Sequence, residues 1–193
     1  MGKVVAFLNI TLDGVIQGPA GPEEDTRNGF TGGGWAAPYA AMQEANTGSM
    51  ASTGALLFGR WTYESFYAFW PHQTDNPFTE ILNNTPKYVA STTLKGPLPW
   101  QNSILLDSHI ANRIAQIKQE AEKDITILGS GALVRSLLNH PGVIDEMILL
   151  IHPLVLRSGQ RLFAEDGTAI NLELVDSMTT SKGVVAATYR LTP

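Results

Sequence analysis

The stretch that decides the fold is Leu57-Phe58-Gly59-Arg60-Trp61-Thr62-Tyr63-Glu64. The apolar run at residues 55–58 is typical of a strand buried on both faces, and the glycine that follows ends it. Residues 62–69 then predict a helix that ends before Trp70-Pro71. A strand, a glycine and a helix in this order predict a βα unit, whose strand belongs to a parallel sheet.

The same pattern occurs once more along the chain. Residues 125–128 predict a strand, Gly129-Ser130-Gly131 ends it, and a helix follows that ends near His140-Pro141-Gly142. The apolar positions of this helix are Leu133, Val134, Leu137 and Leu138. Two such units favour a parallel sheet with helices on its faces.

Other segments extend this sheet. Residues 4–10, 87–90 and 104–106 predict strands, residues 38–52 consist mostly of helix formers, and apolar residues recur at helical spacing over 110–121. Strands without intervening helices are predicted at 147–152, 171–177 and 184–191. We therefore predict one α/β domain over residues 1–193, with a mostly parallel central sheet and antiparallel C-terminal strands.

The composition excludes several classes of function. The chain has 193 residues, a formal charge of -5 and no cysteines. A net negative chain has no general attraction for nucleic acid, and without cysteine it has no thiolate zinc site, iron–sulfur cluster or cysteine nucleophile. The N-terminus enters a strand directly and no apolar run is long enough to span a bilayer, so we expect a cytoplasmic protein.

Three loops at predicted strand ends carry residues suited to phosphate. Gly59, Arg60 and Thr62 follow the second strand, Ser91-Thr92-Thr93 follow the third, and Gly129-Ser130-Gly131 follow the fourth clear one. Each has an ordinary alternative, because a glycine can simply turn the chain, Thr62 can cap a helix and hydroxyls are common in turns. In open α/β sheets ligands bind at the carboxyl ends of strands, so the three loops together favour a phosphate-bearing ligand.

Further candidates are weaker. Asp13, in the Asp-Gly turn after the first strand, is the candidate catalytic residue, and an ordinary turn explains it equally well. Glu44 is a second choice, although an exposed helical glutamate is more common. Trp35 and Trp61 could cover a flat ring or pack in the core. The histidines at 72, 109, 140 and 152 lack metal-ligand spacing, so no metal is predicted.

Four blocks of sequence resemble the dihydrofolate-reductase-like superfamily, and within it most closely the reductase domain of bacterial riboflavin biosynthesis (the RibD C-terminal domain family). The blocks are residues 9–16, 57–65, 127–131 and 145–163, and they occur in the family's order. The resemblance implies a three-layer dihydrofolate-reductase-like fold, a homodimer and NADPH as cofactor. It also implies NADPH-dependent hydride transfer to a small heterocycle or sugar-linked imine, either pterin-like or like the aminouracil intermediate of riboflavin synthesis.

The resemblance also implies which residues bind the cofactor. Asn9 and Ile16 would flank the nicotinamide, while Gly59, Arg60 and Thr62 would hold phosphates, with Arg60 favouring NADPH over NADH. The hydroxyl run would lie near the 2′-phosphate and the second glycine loop would wrap the pyrophosphate. The residues of these two loops are Ser91, Thr92, Thr93, Gly129, Ser130, Gly131, Ala132 and Leu133.

Departures from the family narrow the substrate. The chain lacks the cysteines of the zinc deaminase to which riboflavin reductases are often fused. The carboxylate with which dihydrofolate reductases bind the pterin ring would fall near Tyr39 or Ala40, and its supporting threonine at Ile151, so folate is disfavoured. Two alternatives stay open: a binding protein or sensor of the same fold without turnover, and a non-redox enzyme acting on a phosphate ligand.

Overall fold

An eight-stranded sheet forms the centre of the computed structural model, which describes residues 1–45, 52–74, 76–163 and 168–192. Across the sheet the strands follow the order β4-β3-β2-β5-β1-β6-β8-β7. The strands are β1 (Val4–Thr11), β2 (Thr53–Gly59), β3 (Lys87–Ala90), β4 (Ser103–Leu106), β5 (Asp124–Leu128), β6 (Glu146–His152), β7 (Leu172–Thr179) and β8 (Val185–Leu191).

Helices connect the parallel strands. They are α1 (Ala41–Glu44), α2 (Arg60–Phe69), α3 (Pro77–Asn84), α4 (Ile110–Glu120) and α5 (Gly131–Leu138), with short 3₁₀ turns at Arg27–Gly29, Ala37–Tyr39 and Trp70–His72. In the part of the chain that the structure describes, no helix is long and apolar enough to cross a membrane.

The sheet has the predicted arrangement of parallel and antiparallel strands. Strands β1 to β6 pair in parallel, whereas β8 is antiparallel to both β6 and β7. Because a parallel strand needs a crossover connection, helices separate most of the parallel strands, and a loop at residues 91–102 joins β3 to β4. Strands β7 and β8 are antiparallel and need only the short turn between them. The prediction of a mostly parallel α/β sheet with antiparallel C-terminal strands is confirmed.

Strand β1 lies at the centre of the core, and both of its faces are buried. Val4, Ala6 and Leu8 pack on one face of the sheet with side chains of α4 and α5. Val5 and Phe7 point to the opposite face, where Tyr63 of α2 packs. The continuous apolar run in the sequence reflects this burial on two sides.

The sequence prediction was least accurate between β1 and β3. Helix formers occupy residues 38–52, but α1 spans just Ala41–Glu44, and residues 46–51 lie outside the described part. Ala40 has a left-handed φ of 49°, which separates the preceding 3₁₀ turn from α1. Helix α3 was not predicted, although Asn76 accepts a hydrogen bond from Phe78 N–H and a proline follows at the first helical position.

Candidate functional site

The carboxyl ends of β3, β2 and β5 are neighbours at one edge of the sheet, and the three phosphate-suited loops leave from there. Strand β2 pairs with β3 on one side and with β5 on the other. Loops that are far apart in sequence, after residues 59, 90 and 128, therefore lie side by side. The expectation that these loops meet at one edge is confirmed.

Two of the loops are joined by hydrogen bonds. Gly59 N–H donates to Ser130 Oγ at 3.0 Å, and Ser130 N–H donates to Thr62 Oγ1 at 3.1 Å. Gly129 and Ser130 both have left-handed backbone, with φ of 59° and 56°. The starts of α2 and α5 are thereby held against each other as one unit.

Arg60 extends this unit to the third loop. Its Nη1 donates to Thr93 Oγ1 at 2.9 Å and its Nε to Glu64 Oε1 at 3.0 Å, while half of the side chain stays exposed. Ser91 Oγ accepts from the N–H groups of Thr93 and Leu94, as a turn-forming serine does. Thr92 is exposed. Arg60 is thus a half-exposed cation between the hydroxyl of Thr93 and the carboxylate of Glu64.

The start of α5 leaves no space for a larger residue. A Cβ built on Gly131 would lie 1.8 Å from Ile16 Cδ1, so Ile16 packs directly on the first turn of α5. Ala132 is exposed and Leu133 is half-buried beside Gly131. The first amides of a helix have no acceptor within it, and they carry a partial positive charge that attracts phosphate.

Gly59 differs from Gly131 in its environment. Its φ is -79°, which any residue adopts, and an added Cβ would meet Leu133 Cβ at an ordinary 3.5 Å. A phosphate can approach the backbone at Gly59 because glycine has no side chain to block it, and not because its backbone conformation is unusual.

These residues fit a ligand that carries phosphate groups. Within the described chain, the starts of α2 and α5 have no capping hydrogen bond from the side chain that precedes them, so their amides can face a ligand. Arg60 and the hydroxyl of Thr93 lie beside these amides. A cation, hydroxyls and helix starts are the groups that bind phosphate.

The carboxylate of Asp13 is used within the fold. It accepts hydrogen bonds from Thr11 Oγ1 at 2.6 Å and from the N–H groups of Leu156 at 3.2 Å and Arg157 at 2.8 Å. Burial raises the pKa of Asp13, but these hydrogen bonds outweigh it and the net pKa lies below the usual range. Asp13 is therefore ionised at neutral pH and fixes the turn after β6 to the end of β1.

The loop at residues 18–34 is held by contacts with Gln17 and with Trp61 of α2. Gln17 Nε2 donates to Asp25 Oδ1 and to Arg27 O, and Gln17 Oε1 accepts from Gln160 N–H at 2.9 Å. The Arg27 guanidinium lies 4.1 Å from the centre of the Trp61 ring. Trp61 therefore contacts this loop from α2, in a cation–π contact that local sequence patterns do not predict.

Glu44, the second-choice carboxylate, contacts the turn between β7 and β8. Its two oxygens accept from Ser181 N–H at 2.7 Å and Ser181 Oγ at 2.6 Å. These hydrogen bonds lower the pKa of Glu44. The contacts explain Glu44 as a link between α1 and the sheet.

Sequence reasoning missed His152, the last residue of β6. His152 is fully buried, and its Nε2 lies 2.9 Å from Asn9 Oδ1 on β1. Its Nδ1 has no hydrogen-bond partner among the described residues, and such an unsatisfied buried group costs about 1–3 kcal/mol. Burial lowers the pKa of His152 to about 4, so the ring is neutral. The sequence carried no signal that β1 and β6 pair and bring these side chains together.

Comparisons with known proteins identify the family of this chain. The RibD C-terminal domain family matches residues 2–186, so the chain belongs to that family. It is 30% identical over 196 residues to the uncharacterized protein YyaP of Bacillus subtilis (strain 168), covering 97% of this chain and 94% of YyaP.

Solved structures confirm the fold. A putative riboflavin biosynthesis protein from Shewanella sp. PV-4 superposes with a TM-score of 0.70 at 21% identity, covering 99% of both chains. A dihydrofolate reductase from Enterococcus faecalis, complexed with NADP(H), gives 0.60 at 15% identity over 100% of this chain and 98% of that one. The fold is dihydrofolate-reductase-like, as the resemblance implied, and both the family and the fold are of the reductase type.

Proposed function

We propose that the protein is an NADPH-dependent reductase that transfers a hydride to a small heterocycle or sugar-linked imine. The observation that carries the proposal is the unit formed by the loops after β2 and β5, with Arg60 reaching to the loop after β3. Family membership and the dihydrofolate-reductase-like fold support it.

The proposed roles of the loops follow from their chemistry. The starts of α2 and α5, with Gly129, Ser130, Gly131, Ala132 and Leu133, would bind the pyrophosphate through backbone N–H groups. Thr62 Oγ1 accepts from Ser130 N–H and keeps its own hydroxyl proton as a donor. Arg60, with Ser91, Thr92 and Thr93, would bind the adenosine 2′-phosphate, since a guanidinium pairs well with phosphate.

At the other end of the site, Asn9 and Ile16 would flank the nicotinamide. When bound, NADPH supplies the hydride for the reduction. Ile16 lies on the first turn of α5, so it can fix the ring relative to the phosphates. Asp13 stays the proposed catalytic residue; because its pKa is lowered, it would orient a substrate hydroxyl or amine instead of delivering a proton.

Binding selectivity tests the cofactor proposal. We expect NADPH to bind wild type at least ~10-fold more tightly than NADH, and the Arg60→Ala variant to lose most of that preference, because a charged phosphate contact is worth about 1.5–3 kcal/mol. Titration with nicotinamide fluorescence measures both constants. Arg113→Ala, an exposed arginine on α4, is the matched control and should change neither constant.

A variant of the neighbouring Glu64 is not expected to weaken the preference for NADPH. Glu64 bonds Arg60 at 3.0 Å, so Glu64→Gln should leave the NADPH preference intact or increase it. Failure of NADPH to bind would reject the proposed cofactor. An unchanged preference in Arg60→Ala would place the 2′-phosphate contact elsewhere. Binding without NADPH oxidation across a broad panel of substrates would favour the alternative of a binding protein without turnover.

We also propose a homodimer. Strand β7, one of the two edge strands of the sheet, exposes apolar side chains, with Leu174 at 54%, Val175 at 44% and Met178 at 42% of their full accessibility. Neighbouring exposed apolar residues on an edge strand favour association. Light scattering coupled to size exclusion should give about twice the mass of one chain, and a monomer at micromolar concentration would contradict this. One domain over residues 1–193, a cytoplasmic location and the lack of a nucleic-acid partner stay predictions.

A further inference from the structure

We propose that His152 is the residue that recognises the substrate ring, with its Nδ1 accepting a hydrogen bond from a ring N–H of a flat, uncharged heterocycle. Asn9 would hold the imidazole in place from its other side. This inference rests on the proposed reductase function. It adds the atom that selects the class of substrate.

The position of His152 supports this role. It ends β6 and pairs with Thr11, at the carboxyl edge of the sheet. Asn9 lies two residues before Thr11 on the same strand, and its side chain reaches the same face as the imidazole. The candidate nicotinamide neighbour and the histidine are therefore in direct contact.

The hydrogen bond with Asn9 determines which nitrogen is free. Asn9 Oδ1 is an acceptor, so the proton of the neutral imidazole lies on Nε2, at 2.9 Å from that oxygen. Nδ1 then has a lone pair and no proton, and no donor reaches it from the described residues. A buried acceptor of fixed direction is the group that selects an N–H donor.

The surroundings of the imidazole favour a flat ring. Trp35 and Tyr39 contact it edge to face, with ring centroids at 5.1 Å and 5.0 Å and interplanar angles of 88° and 80°. Trp35 is anchored, because its Nε1 donates to Gln17 O at 2.7 Å and its side chain is buried. Tyr39 is half-exposed on a three-residue 3₁₀ turn, so it is the wall that can move aside for a ligand.

These neighbours also define the charge of the ligand. The side chains in contact with the imidazole, Asn9, Trp35 and Tyr39, include no acidic or basic residue. A ring that places a lactam or amine N–H against Nδ1 satisfies the acceptor without burying a charge. Aminouracils and pterins have such groups, whereas a ring that offers only acceptors at its edge does not.

Two variants of His152 test the roles of its two ring nitrogens separately. The amide of glutamine reaches the position of Nε2, so His152→Gln keeps a donor for Asn9 and loses the acceptor. The amide of asparagine lies at the position of Nδ1, so His152→Asn keeps an acceptor there and loses the contact with Asn9. A residue that merely stabilises the fold would not distinguish ligands in this way.

The experiment measures binding of 5,6-diaminouracil and of pterin to the NADPH complex by calorimetry. We expect His152→Gln to weaken the binding of the probe that wild type prefers by at least ~10-fold, the value of one lost hydrogen bond to a buried acceptor, and His152→Asn by less than about threefold. His152→Gln keeps the hydrogen bond to Asn9, so its NADPH affinity should not change. His140→Gln, an exposed histidine, is the control.

Nitrogen NMR of histidine-labelled wild type tests the same atom without a mutation. The His152 signals should report the Nε2-protonated form, and the Nδ1 signal should shift toward its hydrogen-bonded value when a probe binds. Unchanged probe affinity in His152→Gln, or no shift with either probe, would overturn the proposal. If NADPH does not bind, the proposed cofactor fails, while titration of the free protein with the probes still decides the role of His152.

Discussion

Two buried polar residues at opposite edges of the central sheet, Lys87 and His152, differ in their hydrogen bonding. Lys87 begins β3 at the amino edge of the sheet, where the parallel strands start. Its Nζ donates to three backbone carbonyls, Leu82 O at 2.7 Å, Thr85 O at 2.8 Å and Asn83 O at 3.2 Å. At the carboxyl edge, His152 has one nitrogen bonded and the other without a partner in the described chain. Lys87 is therefore satisfied within the fold, whereas we propose that His152 Nδ1 binds a ligand.

Lysine 118 shows the same pattern as Lys87. Its Nζ donates to Asp145 Oδ1 at 2.6 Å and to Gly142 O at 2.9 Å, so a second largely buried lysine is satisfied by the protein itself. Arg60 at the opposite edge is half exposed, and its guanidinium donates hydrogen bonds to the hydroxyl of Thr93 and the carboxylate of Glu64. A buried cation without partners would be costly, which explains why each lysine has several acceptors.

The largest effect on stability is expected from Lys87→Met. The variant removes one donor from three backbone carbonyls at the end of α3, and buried acceptors without partners are costly. We expect the free energy of unfolding to fall by about 3 kcal/mol in urea titrations, with NADPH affinity unchanged. The exposed Lys95→Met is the control. A loss of NADPH affinity in folded Lys87→Met would show that the two edges do not have separate roles.

A smaller effect is expected from the titration of His152. The pKa of this residue is about 4 in the folded protein and about 6.5 when unfolded, so the unfolded chain binds more protons between these values. Stability should therefore decrease as the pH falls from 7.5 to 4.5. His152 should contribute about 2 kcal/mol to this loss.

The measurement compares urea unfolding of wild type and His152→Gln at both pH values. Because the carboxylates titrate equally in the two proteins, the difference between their pH slopes isolates the histidine. His140→Gln should keep the slope of wild type. Equal slopes in wild type and His152→Gln would mean that His152 is not held neutral by burial.

The smallest effect on stability is expected from Gly131→Ala at the carboxyl edge. Its Cβ would overlap Ile16 Cδ1, so Ile16 must rotate, at a cost of about 1 kcal/mol. We expect NADPH affinity to fall by at least ~10-fold because Ile16 leaves its position beside the proposed nicotinamide site. Gly96→Ala is the control, since an added Cβ there meets nothing within 4 Å. Equal NADPH affinity in the two variants would contradict the proposed role of Ile16.

The sequence alone determined the strands, the order of the βα units and the three phosphate-suited loops. Continuous apolar runs ended by glycine predicted β2 and β5, and the turn chemistry after β6 predicted the antiparallel end of the sheet. These features depend on local patterns of burial and backbone freedom, which a sequence displays directly. The same patterns gave no reason to expect that Arg60 would reach Thr93, since residues 33 positions apart meet only through strand pairing.

The tertiary structure decided what single residues do. Asp13 stays a proposed catalytic residue, and its carboxylate also accepts hydrogen bonds from the backbone of residues 143 and 144 positions away. His152 looked like an ordinary strand residue, and the pairing of β1 with β6 placed it against Asn9. Hydrogen-bond partners, burial and the resulting pKa depend on which strands become neighbours, and that information is not local in the sequence.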